Sequence, residues 1–352
     1  ALTTMKPDAN DAAKATSLDN LLSGKVAGLV VSSSSAMAGS ASSITIRGAS
    51  SLRGDNQPLY VIDNVPQASA GEFASSGISG DFQINQDPLA SLNPSDIEDI
   101  TILKDASSTA IYGSRGANGV ILITTKSGAK GQKTRIDVNA YISIKNKAKY
   151  PRMMNGLEYA QLKREAYRTT NAANPDEYMD DALIFNAEEL EYLEKGYWVD
   201  WQDLLLGTGI TQNYKVAVSS GNDKTQFYLS GNYMGQTGVV IESKNERYQA
   251  KANVTSQVTP WLHVTADVNA SHNIRKGGSF ATGKDNPIWI AMNYSPTMQM
   301  MDGNNYAKDP INSIASNPVG ILRLQGGETM TDVFTGHVDL RFNLAKGLTF
   351  TT

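Results

Sequence analysis

Between Tyr248 and Ala270 the chain reads YQAKANVTSQVTPWLHVTADVNA, two runs of strict alternation about a short turn. In the first run Tyr248, Ala250, Ala252 and Val254 alternate with Gln249, Lys251 and Asn253. In the second, Leu262, Val264, Ala266, Val268 and Ala270 alternate with His263, Thr265, Asp267 and Asn269. Successive side chains of a strand point to opposite faces, so each run makes a strand with one apolar and one polar face. Gln257–Pro260 is the turn between them.

The same grammar recurs beyond Gly131, at Ile136–Ile144, Tyr214–Val218, Phe227–Tyr233 and Phe334–Leu344, and Leu348–Thr352 begins another strand. Alternation alone fits a soluble β-sandwich as well as a barrel wall. Two further features favour the barrel. The connections alternate between short turns, such as Gly221-Asn222-Asp223, and longer segments, Asn146–Gly209, Gly235–Glu246 and Asn273–Asp332. Aromatic residues Tyr214, Tyr233, Tyr248, Trp261 and Phe350 also fall near strand ends, as the girdles of a transmembrane β-barrel do. Lys251, Asp267, Asp339 and Arg341 then face a polar interior, and Val264, Ala266, Val268 and Leu340 face lipid. About seven strands do not close around a domain of some 128 residues; a barrel wide enough to hold one takes about 22. The chain stops mid-strand at Thr352 and opens at Ala1 without a methionine, so a processed or truncated piece of a longer polypeptide is expected.

Residues 1–128 differ: they are rich in Gly, Ser and Ala and alternate short strands with short helices, a small α+β domain. Leu18, Leu21 and Leu22 after Ser17 share one helical face that Gly24 stops. Strands are expected at Val26–Ser32, Ser43–Arg47, Leu59–Ile62, Asp99–Leu103 and Gly119–Lys126, with a helical stretch at Ala106–Tyr112. Asn93-Pro94 has the form of an N-cap with proline at the first helical position, and Asp96 adds negative charge to the first turn. In residues 129–352, the barrel part, the long connections hold their own helices, at Leu157–Tyr167 and after the capping-box sequence Asn186-Ala187-Glu188-Glu189, ended by Gly196.

Several chemistries are excluded. The chain has 352 residues, a net charge of −4, 19% charged residues and no cysteine, so neither a disulfide framework nor thiolate chemistry is available. No clustered Lys/Arg marks a nucleic-acid footprint. The longest apolar run, Gly119–Ile123, is far short of the ~18 residues of a membrane-spanning helix. Gly113, Gly116 and Gly119 lead into a strand rather than opening a helix after one, so they mark a turn needing positive φ rather than a phosphate loop. Gln132 breaks the P-loop pattern at Gly131-Gln132-Lys133-Thr134. His263, His272 and His337 lack metal-ligand spacing, no nucleophile elbow is present, and Arg53-Gly54-Asp55 is a chance tripeptide. No cofactor site and no enzyme constellation emerge.

Three stretches resemble the SusC/RagA family of TonB-linked outer-membrane proteins: ITIRGASSLRGDNQPLYVIDNVP at Ile44–Pro66, LNPSDIEDITILKDASSTAIYGSRGANGVILITTKSG at Leu92–Gly128, and WQDLLLGTGITQNYKVAVSSGNDKTQFYLSGNYMGQTGVV at Trp201–Val240. The second is long and specific, and together they extend the likeness to nearly the whole chain. The resemblance implies a plug domain in residues 1–128 inside a barrel of about 22 strands, of which this chain carries the first. It also implies energy from TonB with ExbB and ExbD, a SusD-like surface lipoprotein as lid, and import of an oligosaccharide or peptide across the outer-membrane lipid. No TonB-box-like segment precedes the plug, so that segment is expected upstream of Ala1 or lost. Arg47 and Arg115 match positions where the broader transporter family sets plug arginines against wall carboxylates, and are the expected anchors; satisfying loop carbonyls inside the plug is the alternative.

Substrate contacts are expected from Phe73 and Phe82 in the Gly/Ser-rich plug segment Gln67–Pro88, and from Trp198, Trp289 and Tyr294 in the long outer loops. Aromatic faces suit sugar rings, and they also anchor loops. Rival readings are a siderophore or cobalamin receptor on the same architecture, which calls for carboxylate-rich metal sites or cationic outer pockets, and a soluble β-rich adhesin or glycan-binding module.

Overall fold

A computed structural model gives the fold. It describes residues 2–8, 11–12, 15, 17–33, 42–46, 48, 56–67, 92–147, 151–170, 174, 176–277, 286–308, 316–324 and 326–352. Arg47, Phe73 and Phe82 lie outside the described residues.

The first unit is a sheet with strand order β1-β6-β7-β4-β5. Its strands are β1 (Leu2–Met5), β4 (Leu59–Ile62), β5 (Val65–Pro66), β6 (Ile97–Leu103) and β7 (Val120–Thr125), and a separate hairpin pairs β2 (Leu29–Ser33) with β3 (Ser42–Ile46). Helix α1 (Leu18–Leu22) buries Leu18, Leu21 and Leu22 against Ile44, Ile100, Ile102, Ile121 and Ile123, so the leucine face read in the sequence forms one wall of this core. β4 and β7 are parallel, and β4 is buried along its whole length. That is why Leu59–Ile62 and Val120–Ile123 read as apolar runs rather than as alternation.

Two expected helices are shorter and tighter than their sequence suggests. After Asn93 the chain makes a 3₁₀ turn, Pro94–Asp96, with the Asn93 side chain accepting from the Ser95 amide at 2.9 Å. β6 then starts at once, because Ile97 already pairs with Thr125. After α2 (Ala106–Thr109) a 3₁₀ segment, Ala110–Gly116, is broken by Gly113 at φ 60°, ψ −145°. Gly119 sits at φ +94°, and a Cβ there would meet Ile46 at 2.8 Å. The glycines therefore serve a turn and a close approach.

The second unit is an open antiparallel sheet of seven strands in the order β16-β15-β12-β11-β10-β9-β8. These are β8 (Arg135–Lys145), β9 (Gly209–Gly221), β10 (Thr225–Thr237), β11 (Lys244–Thr259), β12 (Leu262–Lys276), β15 (Glu328–Ala345) and β16 (Leu348–Thr351). Apart from β13 (Met301–Asp302) and β14 (Asn305–Tyr306), which pair only with each other, every strand neighbours its predecessor in sequence. The strands outrun their sequence estimates. The connection expected over Gly235–Glu246 shrinks to residues 238–243, since Thr237 still pairs with Lys244.

This sheet is inside-out relative to a soluble core. Tyr214, Val216, Leu229, Tyr248, Val254, Val268, Phe334 and Val338 are exposed, whereas Asn213, Lys215, Asn232, Arg247, Gln249, Lys251, Asn253 and Asp267 are buried. Register keeps the sorting consistent: Val264 pairs with Leu340 and Ala266 with Val338 on the apolar face, Asp267 with His337 on the polar one. Only an apolar solvent outside and a polar filling inside make that arrangement favourable. Two aromatic ladders bound the apolar face. At one end Tyr214, Tyr233 and Tyr248 run side by side, with centroids 6.3 and 5.0 Å apart, and His272 continues the row. At the other, Trp261, Phe342 and Phe350 stand 6.1 Å apart. From His272 to Leu262, at roughly 3.3 Å per residue and a tilt of about 40°, the ladders lie about 25 Å apart, the height of a barrel's lipid band. No helix among the described residues is long and apolar enough to cross a membrane.

The plug–wall interface as candidate functional site

Two carboxylates of the first unit reach into the polar face of the second. Asp96, at the end of the 3₁₀ turn, is buried. It pairs with Lys215 of β9 at 2.6 Å, accepts from the Tyr228 hydroxyl of β10 at 2.6 Å, and accepts from Ser230 at 3.1 Å. Both members of the ion pair have side chains only 6% exposed. Asp96 is held in place by its own neighbours: its amide donates to the Asn93 carbonyl, and its carbonyl accepts from Lys126. A pair this dry depends on every added hydrogen bond, which the two hydroxyls provide.

The second contact is built on the β4–β5 turn, where Asp63 and Asn64 take φ 46° and 68°, the left-handed pair of a type I′ hairpin. Asp63 accepts from the Thr125 amide at 2.9 Å and from its hydroxyl at 2.5 Å, which fixes the carboxylate. Lys251 of β11 lies 3.7 Å from it, and bonds Asp267 of β12 at 2.6 Å. Asn253 and Asn269 also donate to Asp267, at 3.0 and 2.7 Å. Beside this network a cavity of about 30 Å³ is lined by Asp63, Gln67, Asp267, Asn269 and His337. A larger one of about 480 Å³ separates the plug from β8–β10, lined by Lys6, Ser95, Lys126, Arg135, Asp137 and Lys215.

The interface is therefore polar and ionic, and at both contacts a plug carboxylate meets a wall lysine. Of the two arginines expected to anchor the plug, Arg115 is exposed at the end of the 3₁₀ segment and makes no ion pair among the described residues. The sequence reading placed Lys251 and Asp267 on the inner face but took Asp96 only as a first-turn charge. The available signal was the lone lysine of the Asn213-Tyr214-Lys215-Val216-Ala217 run, on a face otherwise small or amide.

Over the opposite end of the strands, three connections fold into one cap. Helices α3 (Gly156–Thr170), α4 (Asp181–Ile184), α5 (Ala187–Glu194) and α6 (Trp201–Leu205) lie between β8 and β9, and α7 (Pro287–Asn293) and α8 (Pro318–Leu324) between β12 and β15. Trp201, Leu205, Val240, Ile290, Tyr294, Met298, Val319 and Leu322 share one apolar cluster across all three. The Trp201 indole donates to the Ser295 carbonyl at 2.8 Å. The capping box at Asn186 and Glu189 is formed, and Glu189 also pairs with buried Lys163 at 2.8 Å and accepts from Thr297 at 3.3 Å. Tyr294 is committed to this interior, edge-on to Trp201 at 4.8 Å with its hydroxyl donating to the Ala307 carbonyl. Trp198 and Trp289 are exposed. Trp198 packs on Gly156, where a Cβ would stand 3.1 Å from it.

Glu188, beside the capping box, has one carboxylate oxygen without a partner among the described residues. Burial first, then the negative charge of Asp302, pushes its carboxyl above the ordinary carboxylate range. An acid raised on folding stabilises the fold when protonated and opposes it once ionised, so stability is lost as pH rises through the raised value. Glu188→Gln is accordingly expected to slow amide exchange in α5 at neutral pH and to match the parent below the carboxylate range. Equal exchange at both pH values would refute the strain.

The plug domain model of TonB-dependent receptors matches residues 1–120. Among curated proteins the chain is 33% identical to TonB-dependent receptor P26 of Formosa agariphila over 91% of its length and 29% of the relative's. It is 30% identical to TonB-dependent receptor SusC of Bacteroides thetaiotaomicron over 96% of its length and 33% of the relative's. The chain thus spans about a third of the curated relatives it matches. Among solved structures, the RagAB peptide transporter superposes on all of this chain with TM-score 0.75 and 23% identity, over 40% of its own chain. The siderophore receptor PirA from Acinetobacter baumannii shares the fold more distantly, covering 98% of this chain and 38% of its own at TM-score 0.54 and 15% identity. A plug domain sealed by ion pairs to an inside-out sheet, with relatives of this kind over nearly its whole length, makes this chain a member of the TonB-dependent receptors of the SusC/RagA type, carrying the plug and the first strands of the barrel.

Proposed function

We propose that the protein imports a large nutrient, an oligosaccharide or a peptide, across the bacterial outer membrane, using TonB energy and a SusD-like lipoprotein lid. Its work is gated translocation. Residues 1–128 are the moving plug, and residues 129–352 belong to the fixed wall and its outer cap. The observation that carries this reading is the seal itself. Asp96 and Asp63 meet wall lysines and hydroxyls, contacts that exchange with water far more cheaply than an apolar interface tears. Wall strands paired along their whole length and set in lipid do not yield first. In this reading Arg47 and Arg115 face carboxylates on strands beyond those of the present chain. Phe73, Phe82, Trp198 and Trp289 line the substrate's route.

The test locks the plug to the wall in the full-length transporter. Asp96→Cys with Ser230→Cys joins positions whose side chains touch. The disulfide is expected to abolish growth on the native substrate, leave substrate binding intact, and release growth on reduction. Uptake that persists with the plug locked, or in cells lacking TonB, would reduce the protein to a passive channel.

A further inference from the structure

The two carboxylate contacts lie in seams whose open space differs sharply. Along β11, β12 and β15, Asp63 is tied to Thr125 and Lys251 to Asp267, and the gap beside them is about 30 Å³. Along β8–β10 the gap is about 480 Å³. Asn139, Lys215 and Ser219 line its wall side, and Lys6, Ser95 and Glu98 its plug side. It lies at the end of the strands remote from the cap, since Ser219 stands close before Gly221, where β9 turns into β10. The lining residues nearest the cap, Asn139 and Lys215, are register partners on β8 and β9. Lys215 is the residue that Asp96 holds, so that contact marks the inner end of the gap.

The plug side of the larger gap is lightly held. Lys6 and Glu98 are exposed and make no hydrogen bond or ion pair among the described residues. Lys6 directly follows β1, a four-residue strand at one edge of the plug sheet. The β4–β5 turn that carries Asp63 belongs to the opposite edge. A displacement of β1 therefore acts on the larger gap and leaves the Asp63 seam packed. The other margin of the gap is formed by Lys126 and Ser127, which lead from the plug into the wall. Its lining carries both signs of charge, hydroxyls and the Asn139 amide oxygen, which is buried without a partner. Such a surface suits a hydrated polar chain and disfavours an apolar one.

We propose that the cargo leaves the barrel as a polar chain on this one side of the plug, between the plug and β8–β10, once the Asp96–Lys215 contact opens. Asn139 then lies on the path, and Thr335, beside Asp63 in the packed seam, lies off it. The proposal rests on the importer reading, but its test reads the position of the path in a bilayer without TonB, so the two fail separately.

The full-length transporter, freed of any other cysteine, is placed in planar bilayers with Asp96→Ala to open the contact. Asn139→Cys or Thr335→Cys is added, and each is treated with a methyl or a biotinyl methanethiosulfonate. Asp96→Ala is expected to leak ions, and maltohexaose to interrupt the current as it threads the gap. The bulky adduct at position 139 should return the current to the parent's level and end the interruptions, whereas the methyl adduct should do neither. Both adducts at position 335 should leave the current as it was. Should Asp96→Ala fail to assemble, judged by the heat-modified electrophoretic mobility of the barrel, Lys215→Met opens the same contact from the wall side. A tight Asp96→Ala, a leak untouched by the bulky adduct at position 139, or a leak closed equally from position 335 overturns the proposal. A leak that maltohexaose never interrupts overturns the polar-chain assignment and leaves a path for ions alone. Growth of cells that no longer requires TonB, alongside a leak closed from position 139, would sink the importer reading alone.

Discussion

Lys215→Met is expected to leave the full-length transporter leaking ions, because it strands the buried Asp96 carboxylate against the wall. Removing one member of a buried pair costs about 3–5 kcal/mol, more than the pair contributes as a unit, since the remaining charge stays desolvated. The hydroxyls of Tyr228 and Ser230 still reach Asp96, which places the loss toward the lower end. Conductance of single molecules in planar bilayers measures it, with barrel assembly as the control. Adding Asp96→Asn to Lys215→Met should recover part of the seal, since no charge then remains buried. A single variant as tight as the parent would show that this contact does not hold the plug.

The second large effect lies on the other face of the same sheet. Val268 is exposed on the apolar side, close to midway between the two aromatic ladders. Val268→Arg is expected to cost about 2–4 kcal/mol of barrel stability, the figure for a cation at the bilayer midplane. Asn269→Ser, one residue along and facing inward, should be mild by comparison. Urea titration of the full-length barrel folded into lipid vesicles compares the two. Similar losses from both would mean that the apolar face does not meet lipid.

What could be read from the sequence, and what could not, follows from the range of the interactions. A strand's period of two is local, so the sequence alone sorts Tyr248, Val264 and Phe334 from Lys251, Asp267 and His337. Capping is local too, which is why Asn186 and Glu189 were recognisable. Asp96 does sit in the first turn after Asn93, but its contact with the wall was missed because its partner is distant in sequence. A carboxylate in a first turn has a sufficient local explanation, and nothing nearby announces that Lys215 and Tyr228 lie across from it. The cap was hidden for the same reason: Tyr294 looks like a free aromatic in a long loop until Trp201, a residue of another connection, closes over it. The arginines drew attention through likeness to relatives, whereas the contacts of this sector are made by plug carboxylates, which only the paired geometry reveals.

If the plug moves as proposed, its attachment to the wall sets the path. The segment from Lys126 to Thr134 is laid tightly along the rim of the wall. The Gly221 amide donates to the Gln132 carbonyl at 3.0 Å, and the Gln132 side chain donates to Ser219 at 3.0 Å. A Cβ on Gly128 would strike the Phe227 backbone at 2.6 Å, and one on Gly221 the Ala129 carbonyl at 2.2 Å. At the opposite end, β1 is an edge strand paired, among the described residues, with β6 alone. The plug is thus moored at its tail and loose at its head. In the importer proposed above, a force drawn through β1 would swing the plug about a fulcrum at Gly128 instead of sliding it out like a piston, and the mooring would return Asp96 to the lysine it left.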